Sequence, residues 1–305
     1  MRKKILIIIS LVSIIGFNLQ IVKAEQPIDN NDKVSPKMSE TAIDSLTAEQ
    51  WYKKGNQAGA TNQYDEAIGY FTRAIDIDGN FIDAYKKRGL AYAFIRDLHS
   101  AVDDFSKVIE LNPNDAQAYK SRGMAYSGLR KYDLALADYN TAISLDHNYA
   151  LAYKSRASLF TKLKRYPEAI DDYNVAIKLI PNDAEAYKNR ASLFVLLHEF
   201  GKALADYNRS IELNPRDAQL YYNRGSLLGD LGEYNKAIED FNKSIELNPR
   251  NPLPYYSRGL AYKNKNKFQQ AADDFNDYLK FGGSRRDNAE KVRQWIIDMG
   301  YTPDY

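Results

Sequence analysis

The chain has 305 residues, of which 44% are hydrophobic and 27% charged, with a formal net charge of +2. These are the proportions of an ordinary soluble protein. It has no cysteine, which excludes disulfides, thiolate metal sites and a cysteine nucleophile, and with them a bacterial lipid anchor. His99, His147 and His198 lie far apart without ligand spacing, so neither a metal site nor a cofactor is expected.

The first expected element is a secretory signal over residues 1–24. Arg2, Lys3 and Lys4 precede an apolar run from Ile5 to Phe17, and Val22-Lys23-Ala24 places small or aliphatic side chains where a signal peptidase inspects them. Cleavage is expected after Ala24. The run falls short of the ~20 residues of a spanning helix, and Asn18 and Gln20 interrupt it. An uncleaved anchor is the alternative, but the mature chain is expected to hold no membrane span. Residues 1–24 contain four bases and no acid, so the mature chain has 38 basic against 40 acidic residues. That balance gives no basic excess for nucleic acid. Residues 25–47 are polar and read as a flexible linker.

From Trp51 onward the chain repeats every 34 residues. Trp51, Tyr85, Tyr119, Tyr153, Tyr187, Tyr221 and Tyr255 form one column; Ala67, Ala101, Ala135, Ala169, Ala203, Ala237 and Ala271 form another. Phe71, Phe105, Tyr139, Tyr173, Tyr207, Phe241 and Phe275 form an aromatic third. Gly55, Gly89, Gly123, Ala157, Ala191, Gly225 and Gly259 form a small-residue column, and Pro113, Pro181, Pro215 and Pro249 share a fifth. Seven copies are expected at 48–81, 82–115, 116–149, 150–183, 184–217, 218–251 and 252–285.

Each copy reads as two amphipathic helices. Asp115 can cap the first, on which Tyr119, Gly123 and Tyr126 share a face. A break falls near Arg130-Lys131, and Ala135, Tyr139 and Ala142 line the second helix. Proline then ends it. Residues 286–305 are expected to form a capping helix and tail, with Ala289, Val292, Trp295, Ile296 and Met299 on one face covering the open end of the array. No stretch outside the repeats reaches the ~50 residues of a separate catalytic domain.

Arginine recurs where apolar contact would be expected: Arg88, Arg122, Arg156, Arg190, Arg224 and Arg258. Sixteen residues later run Asp104, Asp138, Asp172, Asp206, Asp240 and Asp274. In an antiparallel hairpin, residues at one level keep a nearly constant index sum, and Arg88 with Asp104 falls within about two residues of the Gly89–Ala101 level. Each arginine is therefore expected to pair with the aspartate of its own hairpin, in a structural role. In the first copy both halves change together, to Lys54 and Tyr70. The rival reading is an arginine ladder for a ligand carboxylate or phosphate.

These columns resemble the tetratricopeptide repeat, whose pattern of W-x2-L-G-x2-Y, A-x3-F and P recurs at 34 residues. Gly89, Tyr92, Ala101, Phe105 and Pro113 show it in the second copy, while arginine stands where the pattern has leucine. The resemblance implies an all-α fold, a right-handed superhelical solenoid of helix-turn-helix repeats with the first helices on its concave side. It also implies a binder of partner segments rather than an enzyme. On that basis Tyr52, Lys86, Lys120, Lys154, Lys188, Tyr222 and Tyr256 face the groove. Lys87, Ser121, Ser155, Asn189, Asn223 and Ser257 lie beside them.

The lysines are expected to project into solvent and the partner to be a protein or peptide segment, acidic, with an apolar anchor. Some family members clamp a C-terminal carboxylate; Lys154 and Asn189 fall at two positions of that clamp, while Ser158, Gln219 and Asn223 depart from it. The leading expectation is a non-catalytic extracytoplasmic interaction scaffold, periplasmic or secreted, in bacterial envelope assembly or secretion. The alternatives are an exported effector engaging host proteins, and a glycan-binding or enzyme-associated module resting on the adjacent Tyr222 and Tyr256.

Overall fold

The computed structural model describes residues 46–283 and 287–304. The expected signal and nearly all of the expected linker lie outside the described residues. Fifteen α-helices and no strand occur among the described residues, in two compact units that divide after Arg165.

The first unit holds α1 (Ala48–Ala60), α2 (Tyr64–Ile77), α3 (Ile82–Phe94), α4 (Leu98–Leu111), α5 (Ala116–Gly128), α6 (Tyr132–Leu145) and α7 (Ala150–Lys162). The second holds α8 (Tyr166–Leu179), α9 (Ala184–Leu196), α10 (Phe200–Leu213), α11 (Ala218–Asp230), α12 (Tyr234–Leu247), α13 (Pro252–Asn264), α14 (Phe268–Lys280) and α15 (Ala289–Asp298). Within each unit consecutive helices pack as hairpins and each hairpin packs on the next.

Local chemistry sets the helix ends. Thr47 opens α1 with a reciprocal cap: its hydroxyl accepts from the Gln50 amide, and the Gln50 side chain accepts from the Thr47 amide at 2.8 Å. Asp115, Asp183 and Asp217 accept from amides in the first turns of α5, α9 and α11. First helices end in a left-handed residue, at Asn62, Arg96, Arg130, Lys164, His198, Gly232 and Asn266. After α5 the Lys131 amide donates to the Tyr126 carbonyl at 2.9 Å and the Arg130 amide to the Ser127 carbonyl at 3.2 Å, closing the helix.

The small-residue column is the closest approach within a hairpin. A Cβ at Gly123 would lie 2.8 Å from the Tyr139 ring and 3.2 Å from the Ala135 carbonyl oxygen. The alanine column beneath it is completely buried, as in Ala101 and Ala135, and so is the aromatic column. In the second unit, α15 packs on α14. It buries Val292 and Ile296 against Phe275, Tyr278 and Leu279, with Trp295 and Met299 at the margin.

Candidate partner-binding face

The arginines are committed to the fold. Arg88, Arg122, Arg190, Arg224 and Arg258 each donate from Nε and Nη2 to the two carboxylate oxygens of Asp104, Asp138, Asp206, Asp240 and Asp274, at 2.6–2.9 Å. The aspartates are buried, and the arginine side chains are only 16–23% exposed. The Asp138 hydrogen bonds push the Arg122 guanidinium above its ordinary range, with burial pulling the other way. Arg156 and Asp172 belong to different units, and their pairing stays an expectation.

Sequence reasoning missed a third arm. Nη1 of each arginine donates to the residue sixteen positions before it. Arg88 reaches Thr72 at 2.9 Å and Arg122 reaches Ser106 at 3.2 Å. Arg156 reaches Asn140, Arg190 Asn174, Arg224 Asn208 and Arg258 Asn242, at 2.6–2.7 Å. One side chain thus ties its own hairpin to the second helix of the preceding repeat. The signal was available in the sequence, as a column of short polar residues at the 34-residue period. Aromatic rings flank the cations as well: Arg122 lies 5.6 and 5.8 Å from the Tyr119 and Tyr126 centroids. In the first repeat Lys54 instead lies 5.9 Å from the Trp51 and Tyr70 centroids.

The faces of the first helices come together inside each unit. In the first, α1 touches α3, α3 touches α5 and α5 touches α7; in the second, α11 touches α13. Asp83, Lys87, Gln117, Leu151 and Ser158 are exposed on α3, α5 and α7. Leu151 is a large apolar side chain 48% in solvent.

The lysine column differs from its expectation as free, solvated cations. Lys86 Nζ lies 2.5 Å from Asp115 Oδ2, while Asp115 Oδ1 accepts the Ala118 amide at 2.9 Å. Lys188 Nζ lies 3.8 Å from Asp217 Oδ2, and Asp217 Oδ1 accepts the Gln219 amide. These lysines reach the residue that caps the first helix of the next hairpin. Lys120 and Lys154 are half-buried rather than solvated. Burial pulls the Lys120 ammonium below its ordinary range. Burial and then Arg130 do the same to Lys162 at the end of α7.

The tyrosines also differ. Tyr52 packs 5.8 Å from Phe71 and 5.0 Å from Phe81, ring to ring. Tyr256 lies 5.1 Å from Tyr278, 6.1 Å from Phe275 and 6.4 Å from Trp295. The closing helix has taken it into the end cluster, so Tyr222 and Tyr256 form no free aromatic pair. Tyr222 itself tilts against Phe241 at 6.2 Å. Burial pushes the Tyr173 phenol above its ordinary range, with Asn189 opposing the rise, and Asn223 accepts from Gln219 at 2.6 Å. Lys154 and Asn189 belong to different units.

Among the described residues no group of three His, Asp or Glu side chains could hold a metal ion. No helix there is long and apolar enough to cross a membrane.

Tetratricopeptide-repeat profiles match residues 116–149, 184–217 and 218–251, residues 48–81 and 82–115, residues 157–197 and residues 241–272. No curated protein matches the chain. Among solved structures the chain is similar to YrrB, described as a TPR protein with an unusual peptide-binding site. The two are 25% identical with a TM-score of 0.53, over 60% of this chain and 94% of that one. It is also similar to pilF of Pseudomonas aeruginosa (19% identity, TM-score 0.62, over 70% and 96%). A tetratricopeptide repeat protein from Parabacteroides merdae matches at 19% identity and a TM-score of 0.59, over 83% and 98%. The last two likenesses are of fold alone.

Proposed function

The chain belongs to the tetratricopeptide-repeat family, whose members are protein–protein interaction scaffolds, and from that premise we propose an exported, non-catalytic scaffold that holds an extended segment of a partner protein along its first helices. Its place of action is outside the cytoplasm, in bacterial envelope assembly or secretion.

The observation that carries this reading is the division of labour between the arginine column and the exposed faces of the first helices. The arginines are spent on the fold, held by Asp104, Asp138 and their equivalents. The first-helix faces of the first unit present a mixed surface of Asp83, Lys87, Gln117, Leu151 and Ser158 to solvent. A surface with charged, amide and apolar groups side by side suits a peptide, whose recognition needs anchors and backbone partners together. The peptide-binding site named for YrrB supports the same reading. Export rests on the basic start, the apolar run and Val22-Lys23-Ala24.

Two measurements test it in the native host. A photo-crosslinking residue at Ser158 on α7 is expected to trap a discrete partner, while one at Glu110, exposed on α4, is not. Trapping through Glu110 alone would move the binding face to the second helices. Protein recovered from the envelope or medium is expected to begin at Glu25; an intact Met1 in the cytoplasmic fraction would overturn export.

A further inference from the structure

Lysine recurs at one position of four successive first helices, and the residue 29 places later stands at the head of the next first helix. Where that residue is Asp115 or Asp217, the lysine meets it at 2.5 or 3.8 Å. In the third repeat the place belongs to Tyr149, which offers a phenol and no carboxylate. Lys120 therefore has the helix position of Lys86 and lacks its counter-ion: among the described residues no carboxylate comes within 4.0 Å of it. Asp115, at the head of the helix that carries Lys120, is already held by Lys86 and by the Ala118 amide.

Lys120 is half-buried, and loss of hydration alone pulls its ammonium down, with no charge partner to oppose it. Folding has thus already removed part of its water. An incoming anion has that much less desolvation to meet than at a solvated lysine, and its attraction is less screened. The neighbouring α7, which touches α5, exposes Leu151 three residues before Lys154. A cation without a counter-ion and an exposed apolar side chain thus lie on adjoining helices.

Resting on the reading of these helices as the partner face, we propose that Lys120 is its carboxylate-recognition point. It takes the side chain of an Asp or Glu in a partner's extended segment, with an apolar residue of that segment against Leu151. Lys86 and Lys188 serve the fold. Tyr149 is what keeps the site open, since an aspartate there would close it from within.

The test follows single lysines through carbon-13 methylation in NMR, with a blocked hexapeptide alternating glutamate and leucine as the probe. The Lys120 signal is expected to shift saturably. Lys120→Gln is expected to weaken binding about tenfold, the scale of one charged hydrogen bond. Lys86→Gln and Lys188→Gln should change it by less than about twofold. Tyr149→Asp keeps the lysine and supplies the missing acid, so it is expected to weaken binding as much as Lys120→Gln while the chain stays folded. A peptide with glutamine for glutamate should bind no better to the wild type than the glutamate peptide binds to Lys120→Gln.

Absence of saturable binding, equal loss in Lys86→Gln, or wild-type affinity in Tyr149→Asp would each overturn the assignment. If the Ser158 crosslink still traps a partner in those cases, the lysine assignment alone falls. If that crosslink traps nothing, the reading of the face falls whatever the hexapeptide does.

Discussion

Arg122 and Asp138 meet across the α5–α6 hairpin through two parallel hydrogen bonds of 2.9 and 2.8 Å, and the same guanidinium reaches back to Ser106 on α4 at 3.2 Å. Guanidinium is suited to this because its donors are fixed in one plane, so a fork on one carboxylate leaves the remaining edge aimed elsewhere. Stability in a repeat array is the sum of the repeats and their interfaces. A side chain that joins both contributes to both, as Arg88 and Arg122 do in the first unit and Arg224 and Arg258 do in the second.

The interface arm is tested at Asn208. Asn208→Ala leaves Arg224 Nη1 without its 2.7 Å acceptor while the fork on Asp240 stays intact. Asn208 is exposed and water can replace it, so a loss of about 0.5–1.5 kcal/mol is expected from urea unfolding. Hydrogen exchange should rise in the neighbouring α9 and α11. A change no larger than that of an exposed control such as Glu239→Ala would show that the third arm is idle.

The helix caps double as lysine partners, and two substitutions at Asp115 separate the roles. Asp115→Asn keeps an acceptor for the Ala118 amide but loses the charge facing Lys86. It should cost about 1 kcal/mol or less. Asp115→Ala loses both and leaves a half-buried lysine unpaired, for a cost of about 2 kcal/mol. Equal costs would mean that the ion pair contributes everything and the cap nothing.

The hairpin and its seam were legible in the sequence because both depend on contacts inside one 34-residue copy. Arg122 and Asp138 could be brought level from their numbers alone. Most of what was missed is contact between neighbouring hairpins, although Tyr52 packs on Phe71 and Phe81 of its own copy. Lys86 reaches the cap of the following helix, Arg224 reaches the preceding one, and Tyr256 is enclosed by α15. Each depends on how one repeat leans on the next, which the index sum of a single hairpin does not contain. The periodic polar column at Thr72, Ser106, Asn140 and beyond carried that information, as did the break at Tyr149.

The turn column gives a prediction of opposite sign. Arg130 sits at φ 60° in the residue that closes α5, a conformation that costs a non-glycine residue ~1 kcal/mol. Its positive charge also joins burial in pulling down the Lys162 ammonium. Arg130→Gly should therefore stabilise the first unit by about 0.5–1 kcal/mol, after the extra freedom of glycine in the unfolded chain. Gly232, at φ 80° in the equivalent turn of the second unit, should lose a similar amount on replacement by arginine. Melting curves of the two variants that move in the same direction would contradict this.

The closing helix is held by apolar burial. Ile296 is fully buried against the end cluster, so Ile296→Ala should cost about 2–4 kcal/mol. It should also expose Tyr256 and Trp295, read as a red shift and quenching of tryptophan emission. An unchanged spectrum would mean that α15 does not cover the end.

Whether the arginines fold the chain or bind its partner is decided most directly by a double-mutant cycle on Arg122 and Asp138, read by urea unfolding alongside Lys120→Ala. The pair is largely buried, at 19% and 7% side-chain exposure, so each single alanine should cost about 2–4 kcal/mol. The two should couple by about 1–3 kcal/mol, with Lys120→Ala neutral to within ~0.5 kcal/mol. Single changes at Arg122 and Asp138 that simply add, with Arg122→Ala no more costly than Lys120→Ala, would contradict the account and return the arginines to a ligand.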